Sequence, residues 1–390
     1  MAAKGASTGA LSTVDLRGGH LTKVFINLDN LTHNMALLQE LAGLCPLWPA
    51  IKANAYGHDA EIIAGHLITM GYTTLGVAHV SEAIELIEKG LRALYVVFSP
   101  SLPENSEYFV RYEVEPVVCT LDQMRGLAEA ARKAKKHLAV HLKVDTGMGR
   151  VGIRPDEVSG FLKRCRDLPE VSVRGIMSHF PGADEQDKSF SRKQIDIFEQ
   201  VRIASREYGI ESYHLANSAA IFDLPEASFD AARPGISIYG LKPSNMILNP
   251  RVNELKPVLE WKTRIIFQKE VPAGTGLSYG HMFHTDKPSL IATIPLGYGD
   301  GLSRLFSNKV EFLVGGVRCR QVGRICMDQC LVDVTALGGR AKLGDEVVII
   351  GRQGNEEITA DELAERLGTI NYEIVTNIAR RVPRIPLGKL

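Results

Sequence analysis

The chain has 390 residues, of which 45% are hydrophobic and 23% charged, proportions typical of globular proteins. Its 45 Lys and Arg residues balance its 45 Asp and Glu residues, and no basic run or stripe occurs. These features argue against a nucleic-acid-binding or membrane-adhering surface. At about 150 residues per domain, the length predicts two or three domains.

The six cysteines include no CxxC pair and no accompanying histidine cluster, so we expect no metal site. Scattered cysteines fit a reduced compartment, in which they pack as small hydrophobes. The first 20 residues lack the apolar core of a signal peptide, and no stretch approaches the ~20 apolar residues of a membrane span. We therefore expect a cytoplasmic protein in which residues 1–20 form a flexible leader.

Short β-rich runs alternate with helical patterns between residues 24 and 239. Asp29 or Asn30 is expected to cap the first helix, and Thr120 a helix over 121–135. Eight strands separated by helices predict an α/β fold of the (β/α)8 TIM-barrel type. A GxGxxG motif is missing after the first strand, which argues against a dinucleotide-binding domain. The candidate strands are 47–51, 74–78, 93–98, 116–119, 138–144, 171–178, 212–215 and 229–236.

The pattern changes after the proline- and asparagine-containing segment 241–253. Strand-like runs then dominate, and a capping box from Thr359 to Glu362 opens a single clear helix over 361–367. We therefore expect a C-terminal mainly β domain over 254–390, after a barrel domain over 21–253. The strand-like runs are 258–271, 289–295, 310–314, 317–322, 328–334 and 345–350.

The first predicted barrel strand, 47–51, ends at Lys52, and small residues, Tyr56 and Gly57 follow. Barrel enzymes place their chemistry at the carboxyl ends of the strands. A partly desolvated lysine there can lose its proton and form a Schiff base with an aldehyde. A lysine at the end of a strand more often simply reaches solvent, so this segment alone leaves both interpretations open.

Two other segments near predicted strand ends carry ambiguous polar residues. The alternating run His141–Arg150 brings Lys143 and Arg150 either to a site or to an interior ion pair. His179 follows another strand and is more often a hydrogen-bonded structural residue than a functional one.

The last two barrel strands end in residues that suit an anion. Ser218 either binds an anion or acts as an ordinary N-cap, because both fit a serine at a helix start. The turn Arg233–Ile236 contains Gly235, which lets backbone amides approach a ligand closely. Barrels of this type often hold phosphate between their last strands, so the two signals agree.

Taken together, the segments resemble the alanine racemase family, in its order and spacing, from about Phe25 to Pro386. The resemblance implies an enzyme dependent on pyridoxal 5'-phosphate, with an N-terminal barrel and a C-terminal β domain. It also implies that the first short strand, near 22–27, joins the β domain. The segments are PAIKANAYGH, HLKVDTGMGR, SHF, HLANSAA, ARPGISIYG, GLSYG, PLGYGDG, GRICMD and INYE.

The resemblance assigns roles residue by residue. Lys52 binds the cofactor covalently, and Arg233, supported by His214, faces its pyridine nitrogen and keeps that nitrogen unprotonated. Tyr56, Ser218, Gly235, Ile236 and Tyr372 hold the phosphate, and His179 and Asn217 line the cofactor. Arg150 and the Met327 amide hold the substrate carboxylate, with Lys143, carbamylated in some members, and Asp328 in support. Asp184, Tyr298, Arg304, Arg324 and Tyr372 line an access corridor.

Racemisation needs a base on each face of a planar centre. By resemblance these bases are Lys52 and Tyr279, and the tyrosine comes from the partner subunit of a homodimer. A tyrosine acts as a base at neutral pH only beside a cationic group, because its ordinary pKa is near 10. The implied function is interconversion of L- and D-alanine, which supplies D-alanine for peptidoglycan.

Three alternatives stay open at this point. The KANAYGH form and the lack of a signal peptide favour alanine over a broad-specificity or serine racemase, but the motifs do not resolve the substrate pocket. A fold-related decarboxylase is disfavoured by Arg233, because such enzymes need an acidic partner at the pyridine nitrogen. A non-catalytic carrier of the cofactor is usually a barrel alone.

Where the family commonly has glycine, this chain has Asp59, which we expect to cap the next helix, and Pro181 is expected to stiffen its loop.

Overall fold

The computed structural model describes residues 19–388, so residues 1–18 of the expected leader lie outside the described residues. The strands are β1 Lys23–Asn27, β2 Thr74–Val77, β3 Leu94–Val97, β4 Glu115–Val118, β5 Leu138–Lys143, β6 Val171–Met177, β7 Ser212–His214, β8 Leu259–Arg264, β9 Phe267–Val271, β10 Gly276–Leu277, β11 Phe283–His284, β12 Ser289–Ile294, β13 Glu311–Val314, β14 Val317–Val322, β15 Cys330–Asp333, β16 Glu346–Gln353, β17 Glu356–Ile358 and β18 Arg384–Leu387. The helices are α1 Leu28–Ala42, α2 Lys52–Tyr56, α3 Ala60–Thr69, α4 Val80–Glu88, α5 Ser106–Tyr112, α6 Leu121–Ala134, α7 Val158–Cys165, α8 Ser189–Ser205, α9 Ser218–Asp223, α10 Ala360–Leu367 and α11 Asn371–Thr376.

Strands β2 to β7 form a parallel sheet in sequence order, with helices in the connections. Two irregular segments close this sheet into a ring through backbone hydrogen bonds. The segment 230–234 bonds to β7 on one side and to the segment 46–51 on the other, and 46–51 bonds in turn to β2. These eight positions are those predicted from the sequence, so the (β/α)8 barrel is confirmed. The closing bonds include Asp230 N to Tyr213 O at 2.9 Å, Trp48 N to Ala232 O at 2.8 Å and Ile51 N to Gly76 O at 2.8 Å.

The helix caps follow the sequence in most places. Asp59 accepts from the backbone N–H groups at the start of α3, and Thr120 forms a capping box with Gln123 at the start of α6, as predicted. The prediction for α1 was wrong, because Asn27 is the N-cap and Asp29 already lies in the first turn. Asn27 caps the helix two positions earlier, because its Oδ1 accepts from the Asn30 N–H at 3.0 Å.

The C-terminal part of the chain contains a ten-stranded sheet with the order β18-β1-β8-β16-β13-β14-β15-β12-β9 and with β17 paired to β16. The pairs among β8, β9 and β12 to β17 run antiparallel. The predicted strand-like runs become β8, β9 and β12 to β16. Trp261 and Phe312 are buried in its core. The mainly β second domain is thus confirmed, and β1 lies between β18 and β8.

The chain divides into two compact units. The barrel unit comprises Phe25–Leu259, Leu363–Asn377 and residues 386–388, and the sheet unit comprises the described residues up to Val24, Glu260–Glu362 and Ile378–Ile385. Leu363–Asn377 lies in the range expected for the C-terminal domain, yet it groups with the barrel unit, because α11 packs against α2. Among the described helices, none is both long and apolar enough to cross a membrane.

Candidate active site

The backbone after Lys52 adopts an unusual left-handed turn. Residues 53–56 all have φ between 52° and 53°, a region that costs non-glycine residues about 1–2 kcal/mol each. The turn is held by the Ala55 N–H, which donates to the Ile51 carbonyl at 2.8 Å, and by the Ala53 N–H, which donates to Glu82 at 2.6 Å. Backbone strain of this kind concentrates at functional sites.

Lys52 lies in a strongly cationic environment. Burial lowers the pKa of its ammonium group, and the charges of Arg150 and Arg233 lower it further, while Glu82 opposes them. The Lys52 Nζ lies 5.8 Å from the centre of the Tyr56 ring. A lysine with a lowered pKa keeps a larger share of neutral amine, which is the nucleophilic form.

Ser218 is bonded to the Gly235 turn instead of capping its own helix. Asn217 is the N-cap of α9, and its Oδ1 accepts from the Ala220 N–H at 3.0 Å. The Ser218 Oγ accepts from the backbone N–H groups of Gly235 at 2.8 Å and Ser237 at 3.4 Å. Of the two interpretations that the sequence left open, the structure therefore excludes the ordinary N-cap.

The same turn forms a cradle that an anion would fill. A Cβ at residue 235 would lie 2.5 Å from the Tyr56 hydroxyl, so only glycine fits there. The buried Ser237 Oγ has no hydrogen-bond partner among the described residues. Burial raises the pKa of both Tyr56 and Tyr372, whose rings lie 6.1 Å apart, so both hydroxyls stay protonated and able to donate. Ile236, also buried, opens the 3₁₀ turn that follows.

The Arg233 guanidinium is fixed by four hydrogen bonds that use only its two terminal nitrogens. Nη1 donates to the His214 Nδ1 at 2.8 Å and to the His214 carbonyl at 2.5 Å. Nη2 donates to the carbonyls of Ser178 at 2.7 Å and Leu215 at 3.3 Å. Burial lowers the pKa of Arg233 to about 9, so it stays protonated at neutral pH and its Nε–H can bond to a ligand.

Three further basic side chains share this electrostatic field. Burial holds the pKa of Lys143, at the end of β5, well below its usual range, and Arg233 and Arg150 add to the effect. The pKa of His179 is also held well below its usual range, first by burial and then by the charges of Lys143, Arg233 and Lys52. The pKa of His214 is likewise lowered by burial and by Arg233. Such a cluster of basic groups around Arg233 fits a ligand that carries phosphate and carboxylate groups, because an anion would stabilise their protonated forms.

Two loops of the barrel unit carry other predicted site residues. Arg150 is exposed and follows a turn in which Asp145 accepts from the N–H groups of Gly147 at 2.9 Å and Gly149 at 3.1 Å. The charge of Asp184 contributes to the raised pKa of Tyr372, after burial and Tyr56, so Asp184 lies near that tyrosine. The structure thus brings the barrel-unit candidates together around Lys52, Ser218 and Arg233.

The remaining candidates lie in connected loops of the sheet unit. Tyr279, 69% exposed, follows Ser278, whose Oγ donates to the Arg324 carbonyl at 2.7 Å. The Tyr298 N–H donates to the Cys326 carbonyl at 3.0 Å, beside the exposed Met327. The Asp328 carboxylate accepts a hydrogen bond from Arg381 at 2.8 Å. The Ser307 Oγ donates to the Arg304 carbonyl at 2.6 Å and accepts from the Ile325 N–H at 3.1 Å.

Several residues that support this site were not predicted from the sequence. Glu82 anchors the left-handed turn, and the buried Glu115 and His141 form a polar cluster with the half-buried Arg174 that bonds to His214. Glu115 directly precedes the predicted strand 116–119, and a glutamate at such a position is a usable signal, because glutamate is almost never buried without a partner. Within the described part of the chain, no group of three metal-ligating side chains occurs, and all six cysteines are free.

Comparison with known proteins agrees with this geometry. The family models "Alanine racemase, N-terminal domain" and "Alanine racemase, C-terminal domain" match residues 26–243 and 258–386. The alanine racemase of Clostridium novyi (strain NT) is 43% identical over 371 residues, which cover 94% of this chain and 96% of that protein. The alanine racemase of Carboxydothermus hydrogenoformans is 44% identical over 363 residues, covering 92% of this chain and 98% of that protein.

Solved structures show the same relationship. The alanine racemase of Clostridium difficile 630 superposes with a TM-score of 0.90 at 34% identity, covering 94% of this chain and 96% of that one. The alanine racemase from Bacillus anthracis with bound L-Ala-P gives a TM-score of 0.89 at 35% identity, covering 95% of both chains. Because two family models span nearly the whole chain and both kinds of relative agree, the chain belongs to the alanine racemase family.

Proposed function

We propose that this protein interconverts L-alanine and D-alanine with pyridoxal 5'-phosphate as its cofactor. The observation that carries the proposal is the arrangement of Lys52, Arg233 and the Ser218–Gly235 cradle at one end of the barrel. Lys52 combines a lowered pKa with a strained turn, as suits a lysine that binds an aldehyde. The enzyme class is an isomerase, in keeping with its family.

The residues of the cradle suit the cofactor. The hydroxyls of Tyr56, Tyr372, Ser218 and Ser237 and the N–H groups of Gly235 and Ile236 would hold its phosphate. His179 and Asn217 would line the ring. The support is the unpartnered Ser237 hydroxyl, the close approach that Gly235 permits and the net positive field. When bound, pyridoxal phosphate supplies an electron-withdrawing ring that acidifies the Cα–H of an amino acid joined to it.

Arg233 determines the type of reaction. Its Nε–H is the donor left for the pyridine nitrogen, and a guanidinium protonated at neutral pH donates without giving up its proton. This keeps the nitrogen unprotonated, which favours proton exchange at Cα over transamination. A decarboxylase of related fold would need an acidic residue here, so Arg233 disfavours that alternative.

Two bases would act on opposite faces of the substrate. The Lys52 amine moves the proton on one face, and its lowered pKa increases the share of the neutral form that can accept this proton. The Tyr279 hydroxyl moves the proton on the other face. Arg150 and the Met327 N–H would hold the substrate carboxylate, with Lys143 and Asp328 in support. Asp184, Tyr298, Arg304 and Arg324 would line the access corridor.

Tyr279 would be supplied by a second copy of the chain, which makes the functional unit a homodimer. The support is that several large apolar side chains of the sheet unit are exposed, namely Tyr279, Met282, Tyr298, Leu305 and Met327. Large exposed apolar groups of this kind mark an interaction surface. We further propose a cytoplasmic location and a role in supplying D-alanine to peptidoglycan, on the strength of family membership.

The test is an activity panel with the cofactor-saturated protein. We expect an absorption band of the lysine-bound cofactor, rapid racemisation of alanine, and loss of both in Lys52→Ala. Comparable turnover of serine or lysine would indicate a broad-specificity racemase. Release of CO2 from a basic amino acid would indicate a decarboxylase, and cofactor binding without turnover a carrier; each would overturn the proposal.

A further inference from the structure

A chain of buried hydrogen bonds extends from Arg233 to the opposite side of the barrel interior. The Arg233 Nη1 lies 2.8 Å from the His214 Nδ1, and the His214 Nε2 lies 3.0 Å from the His141 Nδ1. The His141 Nε2 lies 2.8 Å from the Glu115 Oε2. Both histidines are completely buried, and Arg233 and Glu115 are each 5% exposed. We call these four side chains the relay.

The two ends of the relay fix the direction of every hydrogen bond. A guanidinium can only donate, so the His214 Nδ1 accepts and the His214 proton lies on Nε2. That proton is donated to the His141 Nδ1, which places the His141 proton on Nε2, facing the Glu115 carboxylate. The second carboxylate oxygen is 2.8 Å from the Arg174 Nη1. All protons therefore point from Arg233 towards Glu115.

The backbone of β6 and two neighbouring rings pack closely around the His141 ring. The pairing of β5 with β6 shifts between Val140 and His141, so Arg174 is an extra residue in a β-bulge. His141 then pairs with Gly175, where any Cβ would collide with the His141 ring. The Trp48 ring packs against both histidines, at 5.7 Å from His141 and 4.7 Å from His214.

We propose that Glu115 and His141 are positioning residues that fix the tautomer of His214 and thereby hold Arg233 as the donor to the cofactor's pyridine nitrogen. This inference rests on the proposed function. The side chains of Glu115 and His141 bond to each other, to Arg174 and to His214, so they act on the site through His214. The bulge at Arg174 and the glycine at 175 are then part of the site, because they set the His141 ring in place.

In Glu115→Gln the amide can turn its NH2 group towards the His141 Nε2, so this end of the relay no longer requires a proton on that nitrogen. His141 could then carry its proton on Nδ1, where it would face the Nε2–H of His214. His214 would answer by moving its own proton to Nδ1, where it would face the N–H of Arg233. Two facing donors repel each other, so Arg233 would have to shift. Substrate binding through Arg150 would be unaffected, so kcat should fall while KM stays nearly constant.

The test compares Glu115→Gln with Glu170→Gln. Glu170 pairs with Arg132 at 2.6 Å and has no bond to the relay, so its variant controls for the loss of a carboxylate on this side of the barrel. The first measurement is ¹⁵N NMR of imidazole-labelled protein without cofactor, with His141 and His214 assigned through His141→Gln and His214→Gln. In the wild type and in Glu170→Gln, both rings should carry the proton on Nε2 only.

The second measurement follows racemisation and transamination by the cofactor-loaded proteins. We expect Glu115→Gln to populate the Nδ1–H tautomer of His141 and to raise the share of transamination. We also expect it to lower kcat by on the order of tenfold, as is typical when an outer partner of a catalytic group is mutated. Wild-type protein with an unprotonated His141 Nε2 overturns the relay without any variant, even if Glu115→Gln fails to fold. The relay is also overturned if Glu115→Gln keeps the tautomers and the kinetics of the wild type. Absence of racemisation in the wild type overturns the proposed function instead, and with it the catalytic part of the relay.

Discussion

The Tyr56 hydroxyl occupies the space that a side chain at residue 235 would need, since a Cβ on Gly235 would lie 2.5 Å from that oxygen. Gly235 also donates its N–H to the Ser218 Oγ, so the tyrosine, the serine and the backbone of the last barrel segment meet at one point. This packing makes the anion cradle intolerant of even one added methyl group.

Gly235→Ala should therefore weaken cofactor binding by at least about tenfold, because Tyr56 must move out of the cradle to admit the methyl group. Titration of the cofactor-free protein with pyridoxal phosphate measures this directly. Gly160→Ala is the matched control, because Gly160 lies in α7 and a Cβ there meets no atom within 4 Å. Equal affinities for Gly235→Ala and the wild type would contradict the assignment of the cradle.

Lys188→Met should destabilise the fold strongly. The Lys188 ammonium lies 2.7 Å from the Asp223 carboxylate, and the two side chains are only 2% and 1% exposed. Removal of one partner from a buried pair costs about 3–5 kcal/mol, because the other charge stays buried. Urea unfolding measures the loss. Lys133→Met removes the exposed pair with Glu129 and should cost less than about 1 kcal/mol. Similar losses in both variants would be evidence against the buried pair.

The cofactor-free protein should lose stability in mild acid. Burial lowers the pKa values of His141, His179 and His214 in the folded state. The unfolded chain therefore binds more protons below pH about 6.5, and the free energy of unfolding falls by up to about 1.4 kcal/mol per pH unit for each histidine. This stability is fully present above the unfolded pKa and is lost as the pH falls below it.

Urea unfolding at pH 7.5 and 5.5 measures this dependence. His179→Gln should reduce the loss, whereas His137→Gln, at an exposed position, should leave it unchanged. A loss of the same size in His179→Gln and the wild type would show that burial of this histidine does not drive the acid sensitivity.

The proposed homodimer can be tested by mixing Lys52→Ala with Tyr279→Phe. Each variant alone should be nearly inactive, because each lacks one of the two bases. After dissociation and reassociation, half of the dimers are hybrids, and each hybrid has one site with both bases. Activity should then recover to about a quarter of the wild-type value, as symmetric subunit exchange requires. No recovery would mean that Lys52 and Tyr279 of the same chain act together.

Much of the fold could be predicted from the sequence, because strand-like runs and capping residues are local signals. All eight barrel positions and the main strands of the sheet unit were found in this way. The errors arose where neighbouring residues compete, as with Asn27 and Asp29 at α1. The same competition hid the N-cap role of Asn217, which leaves Ser218 available for the Gly235 turn. α11 was missed because six residues give too short a pattern.

The long-range polar contacts could not be predicted in this way. Glu115 and His141 are 26 positions apart, and His141 and His214 are 73 apart, so no local pattern connects them. The bulge at Arg174 leaves no mark in the alternation of β6, although it decides which side chains meet His141. The left-handed turn after Lys52 is equally invisible, since alanines fill two of its positions.

The most direct test of the proposed racemisation is Cα–H exchange in D2O. Cofactor-loaded wild-type protein incubated with D-alanine should form L-alanine and incorporate deuterium at Cα. The Lys52→Ala variant should do neither, because it lacks both the cofactor link and one base. Wild-type protein that leaves D-alanine unchanged, or a Lys52→Ala variant that exchanges and racemises at the wild-type rate, would contradict the account.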